Sequence, residues 1–73
     1  MINDMKGLGD LVRKTRKEQK LTQEQLSASC GVGVRFIREV EQGKETCQIS
    51  KVLIVMQMLG LEIILAKRGE YRA

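Results

Sequence analysis

A chain of 73 residues has room for one small domain, and a domain of this size buries only about 60% of the surface of its unfolded chain. Thirteen Lys and Arg residues against nine Asp and Glu residues give a formal net charge of +4, which favours a polyanionic partner. The chain contains no histidine and one tyrosine, so the usual acid–base and nucleophilic sites are hard to assemble. We therefore predict that the protein is not an enzyme.

Two cysteines, Cys30 and Cys47, are too few for a disulfide framework and are not spaced like a pair of metal ligands. We predict two reduced thiols and no metal or other cofactor, so that stability comes from helix packing and a partner subunit. The first ten residues lack the apolar core of a signal peptide. The longest apolar run, residues 52–56, is far shorter than the roughly 20 residues that span a bilayer. These features predict a soluble cytoplasmic protein that does not contact membranes.

The first predicted helix covers residues 6–19. Leu8, Leu11 and Val12 recur at helical spacing, with Thr15 as a weaker member of the same face. Positive charge is concentrated in this stretch, where it can attract a polyanion and speed its encounter. The basic residues are Arg13, Lys14, Arg16, Lys17 and Lys20.

A capping box predicts where the second helix begins. In Thr22-Gln23-Glu24-Gln25 the Thr22 hydroxyl can accept a hydrogen bond from the Gln25 backbone N–H, and the Gln25 side chain can reach back to the cap. The helix then covers residues 23–29. It ends before Gly31, which can adopt the left-handed conformation of a helix C-cap.

Two further helices are predicted over residues 34–41 and 49–59. The first has Ile37 and Val40 on one face and stops at Gly43, and the second ends at Gly60. A polar loop separates them. The residues predicted to form the core are Leu11, Leu26, Val32, Phe36, Ile37, Val40, Val52, Leu53, Met56 and Leu59.

Residues 61–66 are short, β-branched and apolar except for Glu62, which is typical of a strand. A strand needs a partner, and no other segment of the chain has this pattern, so we predict pairing with the same strand of a second copy. The predicted organisation is a helical domain over residues 1–60, a dimerisation strand over residues 61–68 and a tail over residues 69–73. The predicted dimerisation residues are Leu61, Ile63, Ile64 and Leu65.

Residues 21–44 carry the functional information. Two short helices joined by a tight, glycine-containing turn have the spacing of a helix-turn-helix. In that motif the second helix enters the major groove of DNA while the first crosses the backbone.

The helix-turn-helix segment contains a clustered pattern, namely Leu21-Thr22-Gln23-Glu24-Gln25-Leu26, Gly31-Val32, Ile37 and Val40-Glu41-Gln42-Gly43-Lys44. This pattern resembles the phage-repressor-type (Cro/C1, XRE) helix-turn-helix family, and the resemblance covers about residues 8–61. The C-terminal part, with Leu59-Gly60-Leu61-Glu62-Ile63, is most similar to HipB-type antitoxin regulators. The resemblance implies a mainly α, lambda-repressor-like bundle of four to five short helices plus one C-terminal strand that pairs across a dimer.

The chain departs from the family pattern at three positions. Thr15 and Ser27 stand where Leu and Ala are usual, which predicts a loosened core. Val34 stands where family members commonly have a polar residue that contacts a base, so base recognition at this position differs from that of the family.

The resemblance implies that the third helix contacts base edges. Arg35 can hold guanine O6 and N7 with two hydrogen bonds, and Val34 can pack on a thymine methyl group. Glu39 can accept from cytosine N4, or instead pair with Arg35 four residues away. Arg38, one turn on, is within reach of a base or a phosphate. The full set of implied base contacts is Gly33, Val34, Arg35, Arg38 and Glu39.

Further residues are implied to contact phosphates or to hold the fold. A helix N-terminus suits an anion, which favours Gln23 at the start of the second helix, whereas Thr22 serves first as its cap. Arg16 and Glu41 are implied to form a partly buried ion pair that ties the first helix to the third. The implied phosphate contacts are Thr22, Gln23, Lys44 and Arg13.

Together these features predict a dimeric transcriptional regulator that binds a palindromic operator in double-stranded DNA. The narrower hypothesis is a bacterial antitoxin, cytoplasmic and nucleoid-associated when bound, that represses its own operon and binds a HipA-like kinase toxin. The alternative is a protein-interaction module of the same fold that binds a partner without significant DNA binding. The positive charges of Arg35, Arg38 and Lys44 favour the DNA-binding hypothesis, because a module that had lost DNA binding would tend to lose them.

Overall fold

Four helices contain most of the residues that the structure describes, which are residues 2–67 of a computed structural model. They are α1 (Met5–Glu18), α2 (Gln23–Cys30), α3 (Val34–Glu41) and α4 (Ile49–Met58). The mainly α fold class is confirmed, and the helix ends lie within one residue of the predicted ones. No helix within residues 2–67 is long and apolar enough to cross a membrane.

Side-chain caps fix the beginnings of the first two helices. The Asp4 carboxylate accepts a hydrogen bond from the Gly7 N–H at 2.8 Å. At α2 the capping box is complete, because the Gln25 N–H donates to Thr22 Oγ1 at 3.0 Å and the Thr22 N–H donates to Gln25 Oε1 at 2.8 Å. These bonds satisfy amides that have no partner inside the helix.

A residue in the left-handed conformation follows each of the four helices. After α3, Gly43 adopts φ +80°, and this places the Lys44 N–H 3.1 Å from the Glu39 carbonyl oxygen and the Gly43 N–H 3.0 Å from that of Val40. This pair of bonds is a Schellman motif, which satisfies the last carbonyls of a helix and turns the chain sharply. The left-handed residues are Lys20, Gly31, Gly43 and Gly60, and the sequence did not predict this role for Lys20.

The core lies where the buried faces of the four helices meet. Its buried apolar residues are Val12, Leu26, Ile37, Val40, Val52, Val55, Met56 and Leu59, and Val32 and Phe36 pack against them half-buried. The prediction was wrong for Leu11 and Leu53, which are half-buried and lie outside this cluster, and it missed Val55. On α4 the buried stripe follows residues 52, 55, 56 and 59, so Leu53 falls at its edge.

The polar groups that the fold buries have partners. Ser27, at a position where the sequence predicted a loosened core, is buried, and its hydroxyl donates to the Glu24 carbonyl oxygen at 2.8 Å. Thr15 is half-buried. Within the described part of the chain, no buried side-chain nitrogen or oxygen lacks a hydrogen-bond partner.

Residues 61–67 form no strand within the single chain that the structure contains, whereas the strand was predicted to pair with a second copy. Leu61 packs against the core, but Ile63, Ile64 and Leu65 expose 47%, 61% and 90% of their surface. The physical reason is that a strand is defined by hydrogen bonds to a neighbour, and one chain supplies none here. Pairing across a dimer stays a prediction. Residue 68 and the predicted tail 69–73 lie outside the described residues.

Helices α1 and α3 pack closely together at Gly9, which is buried. A Cβ atom at this position would overlap the carbonyl oxygen of Val40 and lie 2.9 Å from that of Glu41. A residue with any side chain would therefore push the two helices apart. Gly9 was not singled out from the sequence, since nothing near it in the chain marks a close contact with residues 40 and 41.

We predict that Gly9→Ala lowers the free energy of unfolding by about 1–3 kcal/mol, because overpacking exceeds the gain in helix propensity. Chemical denaturation with circular dichroism measures the change. Gly7→Ala is the matched control in the same helix, since the nearest atom to its new Cβ would be Asp4 Oδ1 at 3.3 Å. If Gly9→Ala were as stable as Gly7→Ala, α1 and α3 would not be in close contact at Gly9.

Candidate nucleic-acid interface

Three residues, 31–33, join α2 to α3 and set the angle between them. Gly31 is left-handed at φ +71°, and the Val32 N–H donates to the Ser27 carbonyl oxygen at 3.1 Å. Val32 also packs against the core. Because this turn is hydrogen-bonded and anchored, α2 and α3 form a rigid pair with the connection expected of a helix-turn-helix.

One face of helix α3 packs against the rest of the domain, and the opposite face, the free face, is exposed. Ile37, Val40 and Glu41 are buried, and α3 packs against both α1 and α2. On the opposite face Arg35 and Arg38 are exposed, and the Arg35 side chain exposes 85% of its surface. Gly33 is exposed and Val34 is half-buried at the start of the helix. The free face of α3 therefore offers guanidinium groups to a partner.

The other residue of this set, Glu39, is already engaged within the chain. Its Oε2 atom lies 2.9 Å from Lys44 Nζ and 3.6 Å from Arg35 Nε, and only 25% of its side chain is exposed. The hydrogen bond from Lys44 lowers the pKa of the Glu39 carboxyl, and the charge of Arg35 lowers it further. Both effects favour the ionised form of the carboxylate. The sequence predicted the contact with Arg35 as an alternative and missed the one with Lys44, which lies across the Gly43 turn.

An open cleft of about 540 Å³ lies beside the free face of α3, at the N-terminus of α2. Arg13 from α1 and Arg38 from α3 line it together with Thr22 and Gln23. The first amides of α2 have no partners inside the helix, and the helix dipole is positive at this end. Three of the four residues predicted to contact phosphates thus meet at one cleft, while Lys44 lies instead beside Glu39.

Beneath this cleft lies a buried ion pair between Arg16 and Glu41. Arg16 Nε and Nη2 donate to the two oxygens of Glu41 at 2.6 and 3.0 Å, and the two side chains expose only 9% and 4% of their surface. Hydrogen bonding to Glu41 raises the pKa of the Arg16 guanidinium, so Arg16 stays charged although it is buried. The pair joins α1 to the end of α3.

Two further hydrogen bonds extend this pair to the start of α2. Arg16 Nη1 donates to the Leu21 carbonyl oxygen at 2.7 Å, and Gln23 Nε2 donates to Glu41 Oε1 at 3.2 Å. The sequence did not predict the bond between Gln23 and Glu41, which are 18 residues apart. As a result, the side chain of Gln23 has a fixed position at the rim of the cleft.

The cysteines form no disulfide. Both are free and half-buried, and burial raises the pKa of each thiol, which keeps them protonated. Within residues 2–67 no group of three or more His, Cys, Asp or Glu residues could hold a metal ion.

Comparison with known proteins identifies the motif. Residues 12–64 match the model of the helix-turn-helix family. An uncharacterized HTH-type transcriptional regulator of Sinorhizobium fredii, y4mF, is 52% identical over 65 residues, which are 89% of this chain and 86% of the relative. The chain belongs to the helix-turn-helix family of transcriptional regulators. The predicted family is therefore confirmed, and it is of the XRE type.

Solved structures of HipB have the same fold as this helix-turn-helix chain. A chain from a complex of HipB with an O4 20mer and a chain from a complex of HipA, HipB, O2 and O3 each superimpose on this chain with a TM-score of 0.84 at 19% sequence identity. The superposition covers 94% of this chain and 97% of the other. The likeness to HipB that the C-terminal sequence predicted is thus present in the fold.

We predict that Glu41→Ala destabilises the protein by about 3–5 kcal/mol, because it leaves the Arg16 charge buried and unpaired. Thermal unfolding monitored by circular dichroism measures the change. Asp10→Ala is the control, since it breaks the Lys6–Asp10 pair, whose side chains are 68% and 59% exposed, and should cost less than about 1 kcal/mol. An unchanged melting temperature for Glu41→Ala combined with loss of DNA affinity would assign Glu41 to ligand contact instead.

Proposed function

We propose that this protein binds double-stranded DNA sequence-specifically as a dimer and thereby regulates transcription, without enzymatic activity. The observation that carries the proposal is the free face of α3, where Arg35 and Arg38 are exposed while the other face is locked in the core. A helix presented in this way fits the major groove, and Arg35 can discriminate guanine there by two hydrogen bonds. Gly33 and Val34, at the start of α3, are the remaining proposed base contacts.

The cleft at the start of α2 supports the proposal, because it suits a backbone phosphate. Arg13 and Arg38 supply positive charge beside Glu24, and the N–H groups of Gln23 and Glu24, which the capping box does not use, supply hydrogen-bond donors at the positive end of the helix dipole. In our proposal Thr22 and Gln23 meet the phosphate at the rim, and Arg38 contacts a phosphate rather than a base. Such contacts set the register of a protein on the duplex but carry no sequence information.

Dimerisation is proposed through the segment that follows α4. Ile63, Ile64 and Leu65 are exposed, and on the preceding helix α4 Ile54 and Met58 expose 42% and 49% of their surface. Exposed apolar groups of this density favour burial against another molecule. A second copy is the proposed occupant, because a two-fold contact satisfies both copies at once and presents two α3 helices to a palindrome. Leu61 is proposed to extend this contact from the core.

The narrower proposal is an antitoxin in the bacterial cytoplasm that represses its own operon and binds a HipA-like kinase. Its support is the HipB fold, since one of the similar solved structures is a complex of HipA with HipB. A kinase-like reading frame directly beside the gene for this chain would favour it.

We predict that Arg35→Ala weakens binding to the preferred duplex by about 1–3 kcal/mol and relaxes selection at one base position. Lys44→Ala should weaken binding to all sequences about equally, because phosphates are common to all of them. Fluorescence anisotropy on a duplex selected from a random library, and a repeated selection with the variant, measure both effects.

The salt dependence of the wild-type protein is the control for this prediction. The logarithm of the binding constant should fall with the logarithm of salt concentration by about 0.9 for each phosphate contacted. Binding that did not change with salt would contradict the proposed function. An unchanged selected motif for Arg35→Ala would contradict the proposed docking of α3.

We predict that Leu65→Asp converts the dimer to a monomer, because it places a charge in the proposed apolar contact. Leu65 is 90% exposed in the single chain, so its replacement should not unfold the helices. Sedimentation equilibrium measures the mass, and circular dichroism checks the helix content. Ile49→Asp is the matched control, since Ile49 is also apolar and 65% exposed but lies at the other end of α4. A dimer that survived Leu65→Asp and dissociated with Ile49→Asp would place the interface at the start of α4.

A further inference from the structure

Two cations of the proposed DNA-binding surface share one carboxylate oxygen. Glu39 Oε2 lies 2.9 Å from Lys44 Nζ and 3.6 Å from Arg35 Nε. The Glu39 side chain is 25% exposed, whereas those of Lys44 and Arg35 are 47% and 85% exposed. The acidic side chain is therefore more buried than the two basic side chains, which are more accessible to solvent and to DNA.

The backbone holds Lys44 in this position. Gly43 is left-handed at φ +80°, and the Lys44 N–H donates to the Glu39 carbonyl oxygen at 3.1 Å, so the two residues are joined by main chain as well as by side chain. Gly43 is itself packed tightly, since a Cβ atom there would lie 2.8 Å from Lys6 Cα. A surface ion pair normally stabilises a protein only slightly, because holding two flexible side chains in one geometry costs conformational entropy. Here the turn at Gly43 already supplies part of that ordering.

The shared oxygen has different consequences for the two cations. Lys44 has one charge, and in the pair that charge is balanced, so a phosphate must compete with Glu39 for it. Arg35 has five N–H donors, and a contact through Nε leaves the four Nη donors for the edge of a base. The Glu39 carboxylate can thus weaken the phosphate contact of Lys44, which does not depend on DNA sequence, and orient Arg35, whose base contact does.

We propose that Glu39 is a positioning residue that sets the selectivity of DNA binding. It balances the charge of Lys44, which weakens the contact of Lys44 with phosphate, and it orients Arg35 towards a base edge. This inference rests on the proposed DNA-binding function. It differs from the sequence-based expectation that Glu39 itself contacts a cytosine, because the Glu39 oxygen nearest the surface cations is occupied. This role requires a charged carboxylate, and the hydrogen bond from Lys44 lowers the pKa of Glu39, which favours the charged form.

The test compares Glu39→Gln with Glu45→Gln. Glu45 is exposed, lies one residue beyond Lys44 and forms no ion pair within residues 2–67, so its variant removes the same charge without releasing Lys44. Each protein is titrated with the duplex selected by the wild type and with a scrambled duplex of the same composition, at several salt concentrations. Thermal unfolding checks that both variants are folded.

For Glu39→Gln we expect tighter binding to the scrambled duplex, because Lys44 then contacts its phosphate without competition from Glu39, and a salt slope steeper by at most about 0.9. The ratio of selected to scrambled affinity should fall roughly three- to tenfold, as Arg35 loses its orientation. Glu45→Gln should change neither the slope nor the ratio to this extent. In the double variant Glu39→Gln/Lys44→Ala the steeper slope should disappear, which assigns the gain to Lys44.

Three outcomes would overturn the inference. If Glu39→Gln and Glu45→Gln behaved alike, the effect would be one of net charge only. If Glu39→Gln changed the selected base at one position and left the scrambled duplex unaffected, Glu39 would contact that base directly. If the wild type bound no duplex at all, the proposed function itself would fail, which is distinct from the first two results because both of them require wild-type binding.

Discussion

The buried pair of Arg16 and Glu41 is the interaction on which the arrangement of the helices depends. A charged pair in the interior is stable only when both partners keep good geometry and their remaining hydrogen-bonding groups are satisfied. Here the Arg16 guanidinium meets both Glu41 oxygens and the Leu21 carbonyl oxygen, and Gln23 donates to the same carboxylate. The pair thus joins α1, the start of α2 and the end of α3. Helix α3 cannot shift or rotate without leaving a charge unpaired in the interior.

The fixed orientation of α3 explains how a helix of eight residues can present an ordered exposed surface. An isolated helix of this length is not stable in water, so its structure comes from packing. Gly9 lets α1 approach the end of α3, and Gly43 folds the following loop back against the helix. The exposed arginines of α3 are therefore held on a rigid support. Rigid support suits base recognition, in which small displacements break paired hydrogen bonds.

Charge is distributed differently on the two sides of α3. Beneath it Glu41 balances a buried arginine, and at its surface Glu39 balances an exposed lysine and approaches an exposed arginine. The two glutamates are two positions apart, which in a helix directs them to different sides. Glu41 holds the fold together, whereas Glu39 is proposed to position the two surface cations. The same residue type thus occurs in two environments that differ in burial.

Local patterns in the sequence determined the four helices, the capping box at Thr22 and the buried positions Ile37 and Val40, because these depend on neighbours within one or two turns. The family motif also indicated the arginines of α3 and the relation of Arg16 to Glu41. Only the tertiary structure decided contacts between distant segments. It brought Gln23 to Glu41, set Gly9 against the end of α3 and turned Lys44 onto Glu39. These contacts depend on helix crossing angles and on the left-handed turn at Gly43, and hydrophobic periodicity gives no information about either. The strand predicted after α4 depends on hydrogen bonds to a neighbouring strand, which a single chain does not contain.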